Sequence, residues 1–331
     1  MARLFIDGFE RGDLAFWSYY VNNGAISSTV PTGMTGTYTV WCNAANGVYC
    51  TLPAAQSEIY VAFKYHFTEL SGKCIANFRD SSGTKTYSVI RNTTTSVLEA
   101  RLGSLTDTLQ DTGTATITNN TTYLIEIRYK PLDSGGVLIV KVDGVEDMNV
   151  SGDTTAGSEN VLVLNLGSDT GVADYAYAYF DDVVIDSADW IGNTKIQKIV
   201  PSGAGTTTQW DPSTGSNYTC VDEIPPSNTD YVSTNTSDEI DTYAMGDLSG
   251  TIGVVKCVQV EATAAYEGSP TPTHIQLAAR SGSTNYFSAD KSPPLTFGKP
   301  LFHIWETDPN TSSAWTESNV NAAEFGIKAT A

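Results

Sequence analysis

Six segments in which apolar and polar side chains alternate dominate this chain: residues 58–67, 122–129, 137–142, 161–166, 175–185 and 251–261. A period of two puts every second side chain on one face, so each segment suits a strand with one buried side. Their apolar positions are rich in Val, Ile, Tyr and Phe, the residues that pack best on a pleated surface. Turn signals separate them, among them Ser81-Ser82-Gly83, Asp133-Ser134-Gly135-Gly136, Asp143-Gly144 and Arg280-Ser281-Gly282. Residues 137–142 run directly into Asp143-Gly144 and read as the first arm of a tight hairpin. One segment, 316–325, reads as a helix of about two turns, with Thr316 as its cap, an acidic first turn and Gly326 as its stop. The pattern predicts an all-β protein with one short C-terminal helix.

At 331 residues the chain exceeds what one core usually supports. Residues 186–230 turn to Ser, Gly, Pro and Thr, including Pro201-Ser202-Gly203-Ala204-Gly205 and Ile224-Pro225-Pro226-Ser227, a composition that marks connections rather than strand interiors. The expected organisation is a first domain over 3–190, a connector over 191–235 and a second, smaller β-sandwich-like domain over 236–331. Trp17 and Trp41 are expected to be buried in the first domain, and Trp305 and Trp315 to anchor the second. No repeat of roughly 20 to 50 residues is visible, which argues against propellers and solenoids.

Charge narrows the partners. With 37 acidic against 18 basic residues the formal net charge is −19, which opposes binding to nucleic acid or to an anionic membrane surface. No apolar run approaches the roughly 20 residues that span a bilayer. The N-terminus becomes charged too early for a secretory signal, so synthesis in a cytoplasm is expected.

Most chemical motifs fail. The three histidines, His66, His274 and His303, have no sequence neighbours at metal-ligand spacing, and there is no Gly-x-Ser-x-Gly elbow, phosphate loop or dinucleotide fingerprint. The nearest approach to a glucanase acid triplet, Glu239-Ile240-Asp241-Thr242-Tyr243-Ala244, lacks its third acid, so no catalytic residue is assigned. The five cysteines form no Cys-x-x-Cys pair; a turn centred on Asn46 would set Cys42 and Cys50 opposite each other on a hairpin, giving either a cross-strand disulfide or two reduced thiols. Asp181 and Asp182, with Asp186 and Asp189 nearby, offer hard oxygen ligands for calcium, against a reading as strand-end caps and solvated charges. Tyr175, Tyr177 and Tyr179 share one strand face, either as core or as an exposed ladder on which sugars or a protein partner stack. No other cofactor is implied.

The opening Leu4-Phe5-Ile6-Asp7-Gly8-Phe9-Glu10-Arg11-Gly12-Asp13-Leu14-Ala15-Phe16-Trp17 resembles the first strand of a concanavalin A-like (LamG/lectin-type) jelly roll, whose members often start Asp-x-Phe-Glu-x-Gly-Asp-Leu-x-x-Trp. They close on a strand similar to Tyr179-Phe180-Asp181-Asp182-Val183-Val184-Ile185. That resemblance implies that first and last strands are neighbours. The second half resembles a set of tailed-bacteriophage virion proteins, carried by residues 209–218, 221–226, 302–315 and 320–328. It implies a non-enzymatic structural or accessory component of a virion surface, made in the host cytoplasm: a head decoration, a fibre or a tail-associated subunit. Its expected partners are copies of itself as a homo-oligomer and other capsid or tail proteins. The alternative is a carbohydrate-binding adhesin that recognises a host surface glycan, and a polysaccharide-acting glycosidase stands third.

Overall fold

Alternation in the sequence becomes pairing in space. The computed structural model describes residues 3–17, 19–21, 25–44, 46–69, 73–168, 176–268 and 272–331. They form two compact units that divide between Ile196 and Gln197.

The strands of the first unit are β1 (Arg3–Asp7), β2 (Tyr19–Val21), β3 (Ala25–Ser27), β4 (Thr39–Ala44), β5 (Gly47–Gln56), β6 (Ile59–Phe67), β7 (Cys74–Arg79), β8 (Lys85–Arg91), β9 (Leu98–Leu102), β10 (Leu109–Thr112), β11 (Thr122–Lys130), β12 (Gly136–Val142), β13 (Val145–Gly152), β14 (Val161–Gly167) and β15 (Ala176–Asp186). One sheet runs β13-β12-β11-β6-β15-β4-β3, with β1 also on β15; the other runs β10-β9-β8-β7-β14-β5-β2. Every pairing between these strands is antiparallel, and β1 lies beside β15 as the resemblance implied. The two sheets enclose a core that includes Val61, Phe63, Tyr65, Phe78, Tyr129, Leu164 and Phe180, none more than 1% exposed. Asp143 and Gly144 take φ of 50° and 83° and join β12 to β13 in the predicted tight hairpin.

The opening motif folds as a knot. Asp7 accepts hydrogen bonds from the Phe9 backbone N–H (2.7 Å) and Trp17 Nε1 (2.8 Å), while Phe9 stacks on Trp17 at 5.6 Å. Glu10 accepts from the backbone N–H groups of Thr37 and Tyr38. Trp17 is buried as expected; Trp41 is only partly buried, because it projects from the outer face of β4.

The second unit holds β16 (Pro201–Thr208), β17 (Asp211–Pro212), β18 (Val232–Ser233), β19 (Ile240–Met245), β20 (Val258–Ala262), β21 (His274–Ser281), β22 (Thr284–Phe287), β23 (Leu301–Trp305) and β24 (Glu324–Thr330), with α1 (Glu317–Ala322) and a 3-10 turn at Asn217–Cys220. Its main sheet runs β16-β19-β24-β21-β22, and β20 pairs with β23. Trp305, Trp315, Val320 and Phe325 form its core with Leu277 and Val260, as expected of the two tryptophans.

Three expectations are corrected here. The stretch 191–235 is not a connector: residues up to 196 belong to the first unit and 201–208 form an edge strand of the second, since Thr and Gly suffice where only one side is paired. The strand expected over 251–261 shrinks to Val258–Ala262, and Val254 stands 72% exposed. The helix starts at its Thr316 cap but stops at Ala322, because Glu324 to Thr330, Gly326 included, are drawn into the sheet between β19 and β21.

Candidate functional site

The chemically interesting surface is the outer face of the first unit's larger sheet. Along β6, Ile59, Val61, Phe63, Tyr65 and Phe67 point into the sandwich, so Tyr60, Ala62, Lys64 and His66 point outward. Register places Trp41, Tyr179, His66 and Thr122 in one row across β4, β15, β6 and β11, and Asp181, Lys64 and Leu124 in the next.

Two segments cross this face. In the first, the Thr32 carbonyl accepts from Thr122 Oγ1 (2.6 Å), and the backbone N–H of Thr35 reaches Asp181 (3.2 Å). The second, residues 187–196, leaves β15 and lies back over the sheet as a strap. Trp190 packs edge-on against Tyr60, and Lys141 Nζ sits 3.6 Å from the Trp190 ring centre. The Gly192 N–H donates to Glu126 (2.8 Å), Lys64 Nζ donates to Asn193 Oδ1 (2.6 Å), and the Ile196 N–H donates to Asp182 (2.7 Å). The side chain of Ile196 packs on Gly8 so tightly that a Cβ there would stand 2.9 Å away.

Asp181 and Asp182 sit at an irregularity in β15, where the register against β6 slips and Asp182 takes a φ of 50°. Both are buried. Asp181 accepts from the N–H groups of Asp182 and Thr35; Asp182 accepts from the Ile196 N–H and Thr35 Oγ1. All four carboxylate oxygens thus hold protein donors. Burial, reinforced for Asp181 by the adjacent Asp182 charge, pushes both carboxyls above the usual range. Among the described residues no group of three or more His, Cys, Asp or Glu side chains is arranged to hold a metal ion. The pair fits the role of a clamp that gathers the two crossing segments better than that of a calcium cage, which needs six to eight oxygens.

Tyr177 and Tyr179 lie on this outer face, partly exposed, while Ala178 and Phe180 fill the core between the sheets. Tyr175 lies outside the described residues. Tyr179 rests on Trp41, ring centres 4.4 Å apart and planes 35° apart, and meets His66 at 6.2 Å. Tyr177 pairs across the ladder with exposed Asn43. His66 is buried, bonds Thr122 Oγ1 through Nδ1 (2.9 Å), and burial lowers its pKa. Trp41, missed as a surface residue from sequence, was legible only through its register opposite Tyr179.

Cys42 and Cys50 do not form a disulfide; all five cysteines are thiols. The chain does turn near Asn46, but it passes from one sheet to the other: β4 pairs with β15 and β3, and β5 with β14 and β2. A Cβ at Gly47 would collide with the backbone oxygens of Ser168 and Leu166, so glycine is required at that crossing. Burial drives the Cys42 thiol pKa upward, which keeps it unreactive.

In the second unit the aspartate of the failed glucanase motif turns inward. Asp241 is fully buried and accepts from the N–H groups of Gln209 and Trp210, from Asn217 Nδ2 and from the Tyr243 hydroxyl. Asp308, also fully buried, accepts from the Asn310 N–H, Thr311 Oγ1 and Asn319 Nδ2.

The two sheets and their register define a β-sandwich of jelly-roll type in the first unit. No protein family and no curated protein matches the chain. Solved structures similar to it include domain 4 of AbnA, a GH43 extracellular arabinanase from Geobacillus stearothermophilus (13% identity, TM-score 0.43, 56% of this chain and 91% of that one). Another is the carbohydrate-binding module CBM66 from Bacillus subtilis (11%, 0.36, 52% and 97%). A sialidase also matches (15%, 0.38, 56% of this chain), and the match spans 19% of its length.

Proposed function

We propose that this chain is a non-enzymatic accessory protein of a tailed-bacteriophage particle, a head decoration, fibre or tail-associated subunit that works at the virion surface through contacts with copies of itself and with other capsid or tail proteins. One observation carries the reading. The stretches that resemble virion proteins supply the parts that build the second unit: Trp305, Trp315, Val320 and Phe325 form its core, and Trp210, Asn217 and Asp308 tie its buried carboxylate knots. The resemblance therefore lies in fold-determining residues rather than in surface composition. The inward-turned Asp241 and Asp308, each with three or more donors, support a binding role over a hydrolytic one.

The test is mass photometry of the purified protein, alone and mixed with particles that lack it. A defined oligomer together with saturable addition to the particle is expected. A monomer that ignores the particle overturns the reading.

Trp41 and Tyr179 favour a second reading for the first unit, a glycan-contacting face, because a partly exposed aromatic pair beside the Asn43 amide offers both stacking and hydrogen bonding to a sugar ring. On a glycan array the wild type is expected to retain a neutral sugar and Trp41→Ala to lose it; no binding by the wild type sinks this reading alone.

A further inference from the structure

The strap is fastened at one point by an unusual pair. Lys64 lies at the centre of the larger sheet, on β6 between β11 and β15, and its Nζ stands 2.6 Å from Asn193 Oδ1. The backbone at both ends of this solvent-exposed contact is fixed. Lys64 is held by the ladders on either side, opposite Leu124 and Asp181. Asn193 is held by its neighbours in the strap: Ile191 is buried, the Gly192 N–H is bonded to Glu126, and the Ile196 N–H to Asp182. An amine and a carboxamide pinned this closely are near the separation at which effective molarity replaces chance encounter. We propose that Lys64 and Asn193 join covalently, as an intramolecular isopeptide bond that welds the strap to the sheet.

The chemistry balances without an added reagent. In its amine form Lys64 Nζ attacks Asn193 Cγ, the new C–N bond forms as the Cγ–Nδ2 bond breaks, and Nδ2 departs as ammonia carrying the proton that Nζ sheds. No oxidant or reductant is involved. Asp181 lies opposite Lys64 in the ladder, Asp182 interacts electrostatically with it, and Lys64 itself is the cation.

The experiment is intact-mass spectrometry of the full chain, as purified and after incubation at alkaline pH, which favours amines over ammonium ions in general. The expected wild-type mass is lighter than the sequence by one ammonia, while Lys64→Met and Asn193→Ala keep their full sequence masses. A succinimide elsewhere has the same mass loss, so the deciding readout is a branched tryptic peptide joining the segments that contain Lys64 and Asn193. Wild-type protein at full mass after both treatments, or a mass loss without the branched peptide, overturns the proposal.

Discussion

Individual carboxylates in this protein pull its stability in opposite directions as pH changes. Asp80 accepts from the N–H groups of Ser82, Thr84 and Ser158 and from Ser82 Oγ, and these bonds outweigh its burial and hold its pKa down to about 2. A group depressed in the folded state contributes stability above its unfolded pKa and loses it as pH falls, here between about 4 and about 2. Asp181 and Asp182 are raised, so the unfolded chain gives up their protons first and stability falls as pH climbs from about 4 toward about 8, the value to which Asp181 is pushed. Thermal melts across pH are therefore expected to peak on the acid side of neutrality. Asp182→Asn removes one charge, keeps an acceptor for the Ile196 N–H and turns an amide N–H toward Thr35 Oγ1, which can accept it, so it should flatten the alkaline decline; an unchanged decline refutes the assignment. In the second unit, Asp308→Ala strands at least three donors in a fully buried site and is expected to cost about 3 kcal/mol in denaturant unfolding.

Elements were legible wherever one face is buried and the other is not. The alternations at 58–67, 122–129, 137–142 and 161–166 all became strands within two residues of the expected ends, because burial against the opposite sheet enforces the period. Segments fixed by long-range pairing were not legible. Pro201–Thr208 looks like a linker until β19 provides its partner, and the 187–196 strap carries no periodicity because its bonds come from single side chains and backbone groups. The hairpin expected between Cys42 and Cys50 failed for the same reason: nothing local distinguishes a hairpin from a crossing between sheets. The helix was found by its cap, and Thr316 Oγ1 does accept from the Asn319 N–H at 3.1 Å. Thr316→Ala should destabilise the second unit by about 1 kcal/mol, read as a lowered melting temperature. At the candidate site Tyr177 and Tyr179 were visible as a stripe, but which way they faced depended on β6 and β4 as neighbours.

At the scale of the whole chain, the division at Ile196 predicts two calorimetric transitions, and a fragment ending at 196 should keep the first of them unchanged. A single transition lost on truncation would contradict that division. The neighbouring of β1 and β15 has a mechanical consequence. Arg3 pairs with Asp186, so both strands present their outer ends at the same edge. Tension between the start of the chain and residues beyond 186 would peel the two strands apart rung by rung, the geometry in which antiparallel ladders yield most easily. The strap intervenes first: its anchors on β6, β11 and β12 carry the pull sideways into the middle of the sheet, where many rungs must give way together. A protein drawn on from outside is thereby protected at the seam where its fold closes.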